Sequence, residues 1–177
     1  MLIVLNGPPA AGKSTLARQY CVDHPLAFAL DIDGIRHQLG RWRDQPAEAG
    51  LAARAIAVAA ARVHLTAGYD VVVPQLLANQ GFLDELAAAA AASSAQFVEV
   101  MISIARDQSL QRYSDRWRSG RDPVHGAAAA PDLEDVGRTY DRLVAFAATR
   151  DVAIPLPAGT SDEMYQSLLS VLQDHVR

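Results

Sequence analysis

Short apolar runs alternate along the chain with longer segments of helical periodicity. Five runs have the length and composition of buried parallel strands, at residues 2–5, 27–30, 70–73, 97–104 and 152–155. Helical segments lie between and after them, at residues 14–22, 34–39, 47–67, 79–92, 106–120, 132–149 and 161–175. Strands that alternate with helices over the whole length predict an α/β fold, in which a parallel sheet carries helices on both faces.

Composition and charge narrow the class of protein. The chain of 177 residues suits one domain, residues 1–177, with no linker and no internal repeat. Its net charge of −4 argues against broad electrostatic binding to nucleic acid. The single cysteine, Cys21, excludes an internal disulfide, and we find no apolar run near the roughly 18 residues of a membrane span. The first residues lead directly into a motif and have no basic leader, so we expect a cytoplasmic protein without membrane partners.

The segment between the first strand and the first helix carries the most specific signal. Residues 7–14 read GPPAAGKS and fit the pattern G-x-x-x-x-G-K-[ST] of a phosphate-binding loop. Its glycines let backbone N–H groups close around phosphate oxygens, and the helix N-terminus adds partial positive charge. Lys13 would reach the β- and γ-phosphates, Ser14 would give its hydroxyl to Mg²⁺, and Thr15 would face the α-phosphate. The candidate nucleotide-binding residues are therefore Gly7, Pro8, Pro9, Ala10, Ala11, Gly12, Lys13, Ser14 and Thr15.

Phosphate-binding loops occur in GTPases, motor ATPases and kinases, so the loop alone does not define a function. Lys13 is the only lysine in the sequence, which excludes an N-K-x-D guanine-binding motif elsewhere. An AAA+ ATPase would need more chain and a second domain. The class that remains is a small nucleotide-dependent phosphotransferase, for which we expect ATP as the donor and Mg²⁺ as the metal ion.

The segment DIDGIR, residues 31–36, follows the second strand and would border the crevice at the sheet edge. Phosphoryl transfer to an alcohol needs a carboxylate that orients the hydroxyl and accepts its proton. Asp33 and Arg36, three residues apart at a helix start, can supply a general base and a cation from one face. Alternatively, Asp33 is the helix N-cap. Asp31 is either a carboxylate that binds Mg²⁺ through a water molecule or a residue that simply ends the strand.

The phosphate loop followed by D-x-D-x-[apolar]-R resembles small P-loop kinases of the zeta-toxin, polynucleotide 5′-kinase and chloramphenicol phosphotransferase group. It is more distantly similar to gluconate and shikimate kinases. The resemblance covers most of the chain in layout and implies a five-stranded sheet in the order 2-3-1-4-5. It also implies that Asp33 is the general base and that Arg36 contacts the substrate. The third strand departs from the group, because it ends Val73-Pro74-Gln75 where relatives commonly carry an aspartate that helps to hold Mg²⁺.

Further polar residues are candidates for the acceptor pocket. The amides of Gln75 and Asn79 either contact substrate or are ordinary polar loop groups. His37, Trp42 and Arg43 follow the helix of Asp33 and could line the pocket, although Trp42 is also a candidate for simple packing. The loop that contains Gly159 follows the fifth strand, which by analogy with such folds is the position of adenine contacts.

Arginines cluster after the fourth strand, at positions 112, 116, 118 and 121. Arg112 and Arg116 are four residues apart and would repel each other unless their helical face meets an anion or an acid. In P-loop kinases this position is the lid, residues 106–131 here, whose arginines close on the phosphates of ATP. Arg116 is the strongest catalytic candidate among them. The alternative is a solvated helix whose charge is partly offset by Asp107 and Asp115.

Together these features predict a kinase that moves the γ-phosphate of ATP to a hydroxyl of a small molecule, such as an antibiotic, a nucleoside or a sugar-like metabolite. The oligomeric state and the identity of the acceptor are not encoded in any recognisable pattern. A polynucleotide 5′-kinase and a non-catalytic ATP-binding regulatory domain are the alternatives. Loss of phosphate transfer on replacement of Asp33 by asparagine would distinguish the enzymes from the regulatory domain.

Overall fold

A computed structural model describes residues 1–119, 132–150 and 153–176 of the chain. Within them the chain forms the strands β1 (Leu2–Asn6), β2 (Phe28–Ala29), β3 (Val71–Val73), β4 (Phe97–Ser103) and β5 (Ile154–Pro157). The helices are α1 (Lys13–Asp23), α2 (Ile32–Gln38), α3 (Pro46–Thr66), α4 (Gln80–Ala92), α5 (Arg106–Arg118), α6 (Leu133–Ala147) and α7 (Ser161–Val176).

The strands form one parallel sheet in the order β2-β3-β1-β4-β5, which confirms the predicted P-loop kinase fold. The central strand β1 is buried along its whole length, as expected of a strand with neighbours on both sides and helices on both faces. In a parallel sheet all strand carboxyl ends meet at one edge. The phosphate loop after β1, the acidic segment after β2 and the segment after β3 therefore lie side by side.

Two hydrophobic clusters lie on the two faces of the sheet, because successive residues of β1 point to opposite sides. Ile3 and Leu5 pack into a cluster with residues of α1 and α7, including Leu16 and Leu168. Leu2 and Val4 pack into a second cluster with residues of α3 and α4, which include Ala53, Ala57, Ala61, Leu83 and Leu86. Helices thus cover both faces, as the alternating pattern predicted.

Several boundaries differ from the predicted ones. Strand β2 is confined to Phe28–Ala29, and α1 begins one residue earlier than expected, at Lys13. Helix α2 begins at Ile32 because the side chain of Asp31 accepts a hydrogen bond from the Gly34 N–H at 3.0 Å. Asp31 is therefore the N-cap, and the alternative assignment of that role to Asp33 was wrong. Val152, Arg121 and the predicted loop 121–131 lie outside the described residues.

Helix α3 is 21 residues long and rich in alanine. By length and composition alone this helix is apolar enough to cross a membrane, because the mean hydropathy of its most apolar window is 1.2. The search for apolar runs in the sequence did not predict this. Core helices of soluble proteins pass the same test. One face of α3, formed by Ala53, Ala57, Ala61 and Leu65, is buried against the sheet. This packing fixes which of its other residues can face the sheet edge.

Candidate active site

The phosphate loop owes its shape to two glycines. A Cβ atom at Gly7 would lie 2.9 Å from the carbonyl oxygen of Ile102, so only glycine allows the loop to pass this closely to β4. Gly12 has φ +96°, in the left-handed region that glycine adopts without strain. Gly12 also precedes α1 and has no side chain with which to cap it. The first N–H groups of α1 are therefore available to an anion, as expected of a phosphate site.

Lys13 folds over this loop. Its Nζ donates hydrogen bonds to the carbonyl oxygens of Gly7 at 2.8 Å and Pro8 at 2.7 Å. Desolvation by the surrounding protein, and next the positive charge of Arg116, lower the pKa of Lys13 from 10.5 to about 7, while the carboxylate of Asp33 partly opposes them. The side chains of Lys13, Arg116 and Asp33 come from three separate segments, and the latter two lie close enough to Lys13 to act on its pKa.

The pKa of Lys13 predicts how nucleotide binding depends on pH. Above pH 7 the free protein carries a neutral amine, whereas a bound polyphosphate would stabilise the ammonium, so binding takes up a proton. Between pH 7.5 and 9 the affinity for ADP without Mg²⁺ is expected to fall by up to about tenfold per pH unit. Titration calorimetry in two buffers of different ionisation enthalpy measures both the affinity and the proton uptake. A pH-independent affinity with no proton uptake would contradict the lowered pKa.

Helix α5, the candidate lid, is attached to the phosphate loop. The buried hydroxyl of Ser109 donates a hydrogen bond to the carbonyl oxygen of Pro9 at 2.7 Å. Sequence reasoning missed Ser109, because a serine within an arginine-rich helix gives no sign of a contact 100 residues away. Arg112 lies about one helical turn beyond this contact and is half-buried. Arg116 lies about two turns beyond it, and its guanidinium carbon is 5.3 Å from the centre of the Tyr113 ring. The contact therefore places the two arginines on the same side of the molecule as the phosphate loop.

Asp33 is held by two neighbours at the sheet edge. Its Oδ1 lies 3.0 Å from Nη2 of Arg36, and its Oδ2 accepts a hydrogen bond from Nε2 of Gln75 at 3.0 Å. The predicted pairing of Asp33 with Arg36 on one face of α2 is thus present. Gln75 therefore uses its amide to orient the carboxylate of Asp33.

These three side chains line a cleft of about 90 Å³ beside the phosphate loop. The cleft is also lined by Gly50, Ala53 and Arg54 of α3, Leu77 of the segment after β3, and Phe82 of α4. Arg54 was not among the predicted site residues. The carboxylate of Asp33 thus lies in the wall of this cleft.

His37, Trp42 and Arg43, which were predicted to line the acceptor pocket, form a cluster next to the cleft rather than part of its wall. The rings of His37 and Trp42 have centres 4.7 Å apart. The guanidinium carbons of Arg43 and Arg36 lie 4.6 Å and 5.2 Å from the centre of the Trp42 ring. Trp42 therefore packs against Arg36.

Three other predicted residues have local roles at helix starts. Asp31, which was suggested to bind Mg²⁺ through water, is exposed and caps α2. Asn79 caps α4, because its side chain accepts a hydrogen bond from the Phe82 N–H at 3.1 Å. Gly159 precedes α7, where the Glu163 carboxylate accepts hydrogen bonds from the N–H and hydroxyl of Thr160. A Cβ atom at Gly12 would lie 3.8 Å from Met164 of α7, so this loop lies near the phosphate loop.

Asn6, the last residue of β1, is fully buried and ties the phosphate loop to the acceptor side. Its Oδ1 accepts hydrogen bonds from the N–H groups of Gly7 and Leu77, both at 2.9 Å. Its Nδ2 donates to the carbonyl of Leu77 at 2.8 Å and to Glu99 at 3.2 Å. Glu99 in turn forms an almost fully buried ion pair with Arg150. The segment that carries Gln75 and Leu77 is therefore fixed relative to the start of the phosphate loop.

The residues present fit a nucleotide with its metal ion. Ser14 lies in the first turn of α1 with an exposed side chain, next to the uncapped N–H groups. Within the described ranges, no group of three or more His, Cys, Asp or Glu side chains could hold a metal ion by itself. Mg²⁺ would therefore need phosphate oxygens in addition to Ser14, which is how this ion is usually held in such sites.

The sequence matches a family model described as an AAA domain, AAA_33, over residues 2–135. That range runs from β1 into α6 and includes the phosphate loop, Asp33, Gln75 and the described part of the arginine helix. No curated protein sequence matches the chain.

Solved structures share the fold at low sequence identity. A shikimate kinase from Aquifex aeolicus has a TM-score of 0.66 and 18% identity, over 99% of this chain and 98% of that one. A gluconokinase from Sinorhizobium meliloti has a TM-score of 0.65 and 14% identity, over 97% and 91%. Chaetomium thermophilum Kti12, in complex with ADP-AlF3, has a TM-score of 0.61 and 17% identity, over 98% of each chain. Likeness at this level of identity shows the fold alone.

Proposed function

We propose that this chain, which belongs to the AAA_33 family of AAA domains, is a kinase that transfers the γ-phosphate of ATP to a hydroxyl group of a small molecule. The observation that carries the proposal is the proximity of Arg116 and Asp33 to Lys13. Two cations suited to phosphate and one carboxylate suited to a hydroxyl proton meet at one sheet edge. The fold supports the proposal, because kinases for small molecules are among its neighbours.

Each residue has a distinct part in the proposed reaction. The first N–H groups of α1 and the Lys13 ammonium bind the phosphates, and Arg116 stabilises charge on the group in transfer. Bound at Ser14, Mg²⁺ supplies neutralisation of phosphate charge. The acceptor oxygen forms a bond to the γ-phosphorus while its proton passes to Asp33. The bond from that phosphorus to the bridging oxygen breaks, and ADP leaves with the electron pair.

Gln75 and Arg36 both contact the carboxylate that would act as the general base. Both carboxylate oxygens of Asp33 are engaged, Oδ2 by Gln75 and Oδ1 by Arg36. Gln75 keeps the carboxylate in one orientation, which general base catalysis requires. Arg36 takes one hydrogen-bonding position on Oδ1, and the second lone pair of that oxygen can accept a hydrogen bond from the acceptor hydroxyl.

A screen of acceptors tests the proposed function. ADP release is measured with hydroxylated antibiotics, nucleosides and sugar acids, together with gluconate and shikimate, and mass spectrometry identifies the phosphorylated product. At least one small molecule is expected to accelerate ADP release tenfold or more above hydrolysis and to gain a phosphate. Transfer only to the 5′-hydroxyl of an oligonucleotide would replace the small-molecule proposal with a polynucleotide kinase. ATP binding without transfer to any acceptor would indicate a regulatory domain.

A further inference from the structure

Arg54 is a guanidinium at the cleft, and it has no polar partner among the residues that the structure describes. It lies on the face of α3 that borders the cleft, opposite Asp33. Its guanidinium carbon is 5.5 Å from the centre of the Phe82 ring, and within the described ranges the side chain forms no hydrogen bond or ion pair. A flat aromatic ring beneath a guanidinium fixes its plane while its N–H groups stay directed outward. Arg54 therefore presents donors that another molecule can use.

Arg36 offers a second set of donors at the same cleft. One of its terminal nitrogens pairs with Asp33, but its Nε is buried and has no hydrogen-bond partner in the part of the chain that the structure describes. A buried N–H without a partner is unfavourable, and an oxygen from a ligand would satisfy it. Two guanidinium groups and one carboxylate thus line the cleft, which leaves an excess of positive charge.

The size of the cleft limits what these donors can bind. Its volume of about 90 Å³ is far below the roughly 300 Å³ of a site that encloses a drug-sized ligand. A Cβ atom at Gly50, on the same face of α3, would meet nothing within 4 Å, so this side of the cleft stays open. Planar guanidinium groups match carboxylate and phosphate groups, to which they donate paired hydrogen bonds. The cleft therefore suits a compact anionic group.

We infer that the acceptor is a small hydroxylated anion, whose carboxylate or phosphate binds Arg54 and Arg36 while its hydroxyl faces Asp33. This inference rests on the proposed kinase function and adds the class of substrate. An anion that draws Arg36 towards Arg54 competes with the ion pair between Arg36 and Asp33. The same binding event that places the hydroxyl thus weakens the contact of Arg36 with Oδ1 of Asp33, the oxygen that would receive the proton.

Matched pairs of acceptors test the inference. D-glycerate is compared with its methyl ester, and glycerol 3-phosphate with glycerol, so that each pair shares hydroxyl groups and differs in charge. Transfer is followed by ADP release and product mass, and binding is followed separately by calorimetry in the presence of ADP and Mg²⁺. We expect the anionic member of at least one pair to bind about tenfold more tightly or better and to have the higher kcat/KM. The pair that responds shows whether the anion is a carboxylate or a phosphate.

Variants assign the effect to Arg54. Arg54→Gln is expected to reduce the preference for the anionic member about tenfold or more, mainly through KM, and Arg54→Lys is expected to restore part of it. Arg62→Gln is the matched control, because it removes the same charge from an exposed position on the same helix outside the cleft. It should leave the preference unchanged. Circular dichroism of each variant shows that α3 remains folded.

The outcomes separate the inference from the function on which it rests. Equal binding and transfer for both members of every pair would overturn the anion site and leave the kinase standing. Tighter binding of an anion that depends on Arg54, without any transfer, would support the anion site and overturn the kinase. If no anionic member binds more tightly than its neutral partner, or if Arg62→Gln reduces the preference as much as Arg54→Gln does, the anion site is wrong.

Discussion

Replacement of Asp33 by asparagine is expected to lower kcat for phosphate transfer by about 10²- to 10⁴-fold, the usual contribution of a general base. Asparagine has nearly the same shape, and its carbonyl oxygen can still accept the hydrogen bond that Gln75 now donates to Asp33. It cannot accept a proton from the hydroxyl group. Single-turnover measurements of phosphorylated product, with the acceptor identified in the screen, isolate the chemical step from product release.

Asp44→Asn is the matched control for this experiment. Asp44 forms an ion pair with Arg41 three residues earlier, at 2.6 Å, so it also belongs to an aspartate–arginine pair with three-residue spacing. That pair is exposed and lies outside the cleft wall. The control should retain activity within about twofold, as surface substitutions usually do. Full transfer by Asp33→Asn would remove Asp33 from the role of general base.

Replacement of Lys13 by methionine is expected to lower kcat/KM for ATP by about 10³-fold, because it removes the charge directed at the phosphates and keeps the apolar stem. The free energy of unfolding at pH 7 is not expected to decrease appreciably. Desolvation lowers the pKa of Lys13 to about 7, so the folded protein disfavours the ammonium relative to the unfolded chain. Thermal unfolding, measured beside activity, distinguishes a functional loss from misfolding.

Lys13→Arg tests whether charge alone is sufficient. Arginine keeps the positive charge but carries a planar fork in place of a compact ammonium. The ammonium lies within 2.8 Å of two carbonyl oxygens of the loop, a space that the larger group would not fit without moving the loop. Activity close to that of the methionine variant is therefore expected. Activity near that of the unaltered protein would show that a positive charge at this position is enough.

The fold could be predicted from the sequence because its signals are local. The apolar runs of β1 and β4 and the glycine spacing of the phosphate loop each depend on residues close together in the chain. The loop conformation follows from Gly7 and Gly12, whose positions leave little choice of backbone path. The strand order came from the resemblance to known kinases, and the structure confirms it.

The site was predicted only in part, and the misses share a physical cause. Asp31 and Asp33 are two residues apart, and either could cap α2 until the helix start is known. Arg54 lies in an alanine-rich helix, so the hydrophobic pattern does not show which face of that helix packs on the sheet. Ser109 and Asn6 act through contacts 100 and 71 residues away in sequence. Such contacts are decided by tertiary packing.

The hydrogen bonds of Asn6 have a consequence for the order in which substrates bind. Its Oδ1 accepts from Gly7, at the start of the phosphate loop, and from Leu77, in the segment that carries Gln75. A nucleotide that restricts the motion of the phosphate loop would therefore also restrict Gln75, which holds the carboxylate of Asp33. The second substrate would then lose less conformational entropy on binding, and the two would bind with positive cooperativity even if no part of the backbone moved.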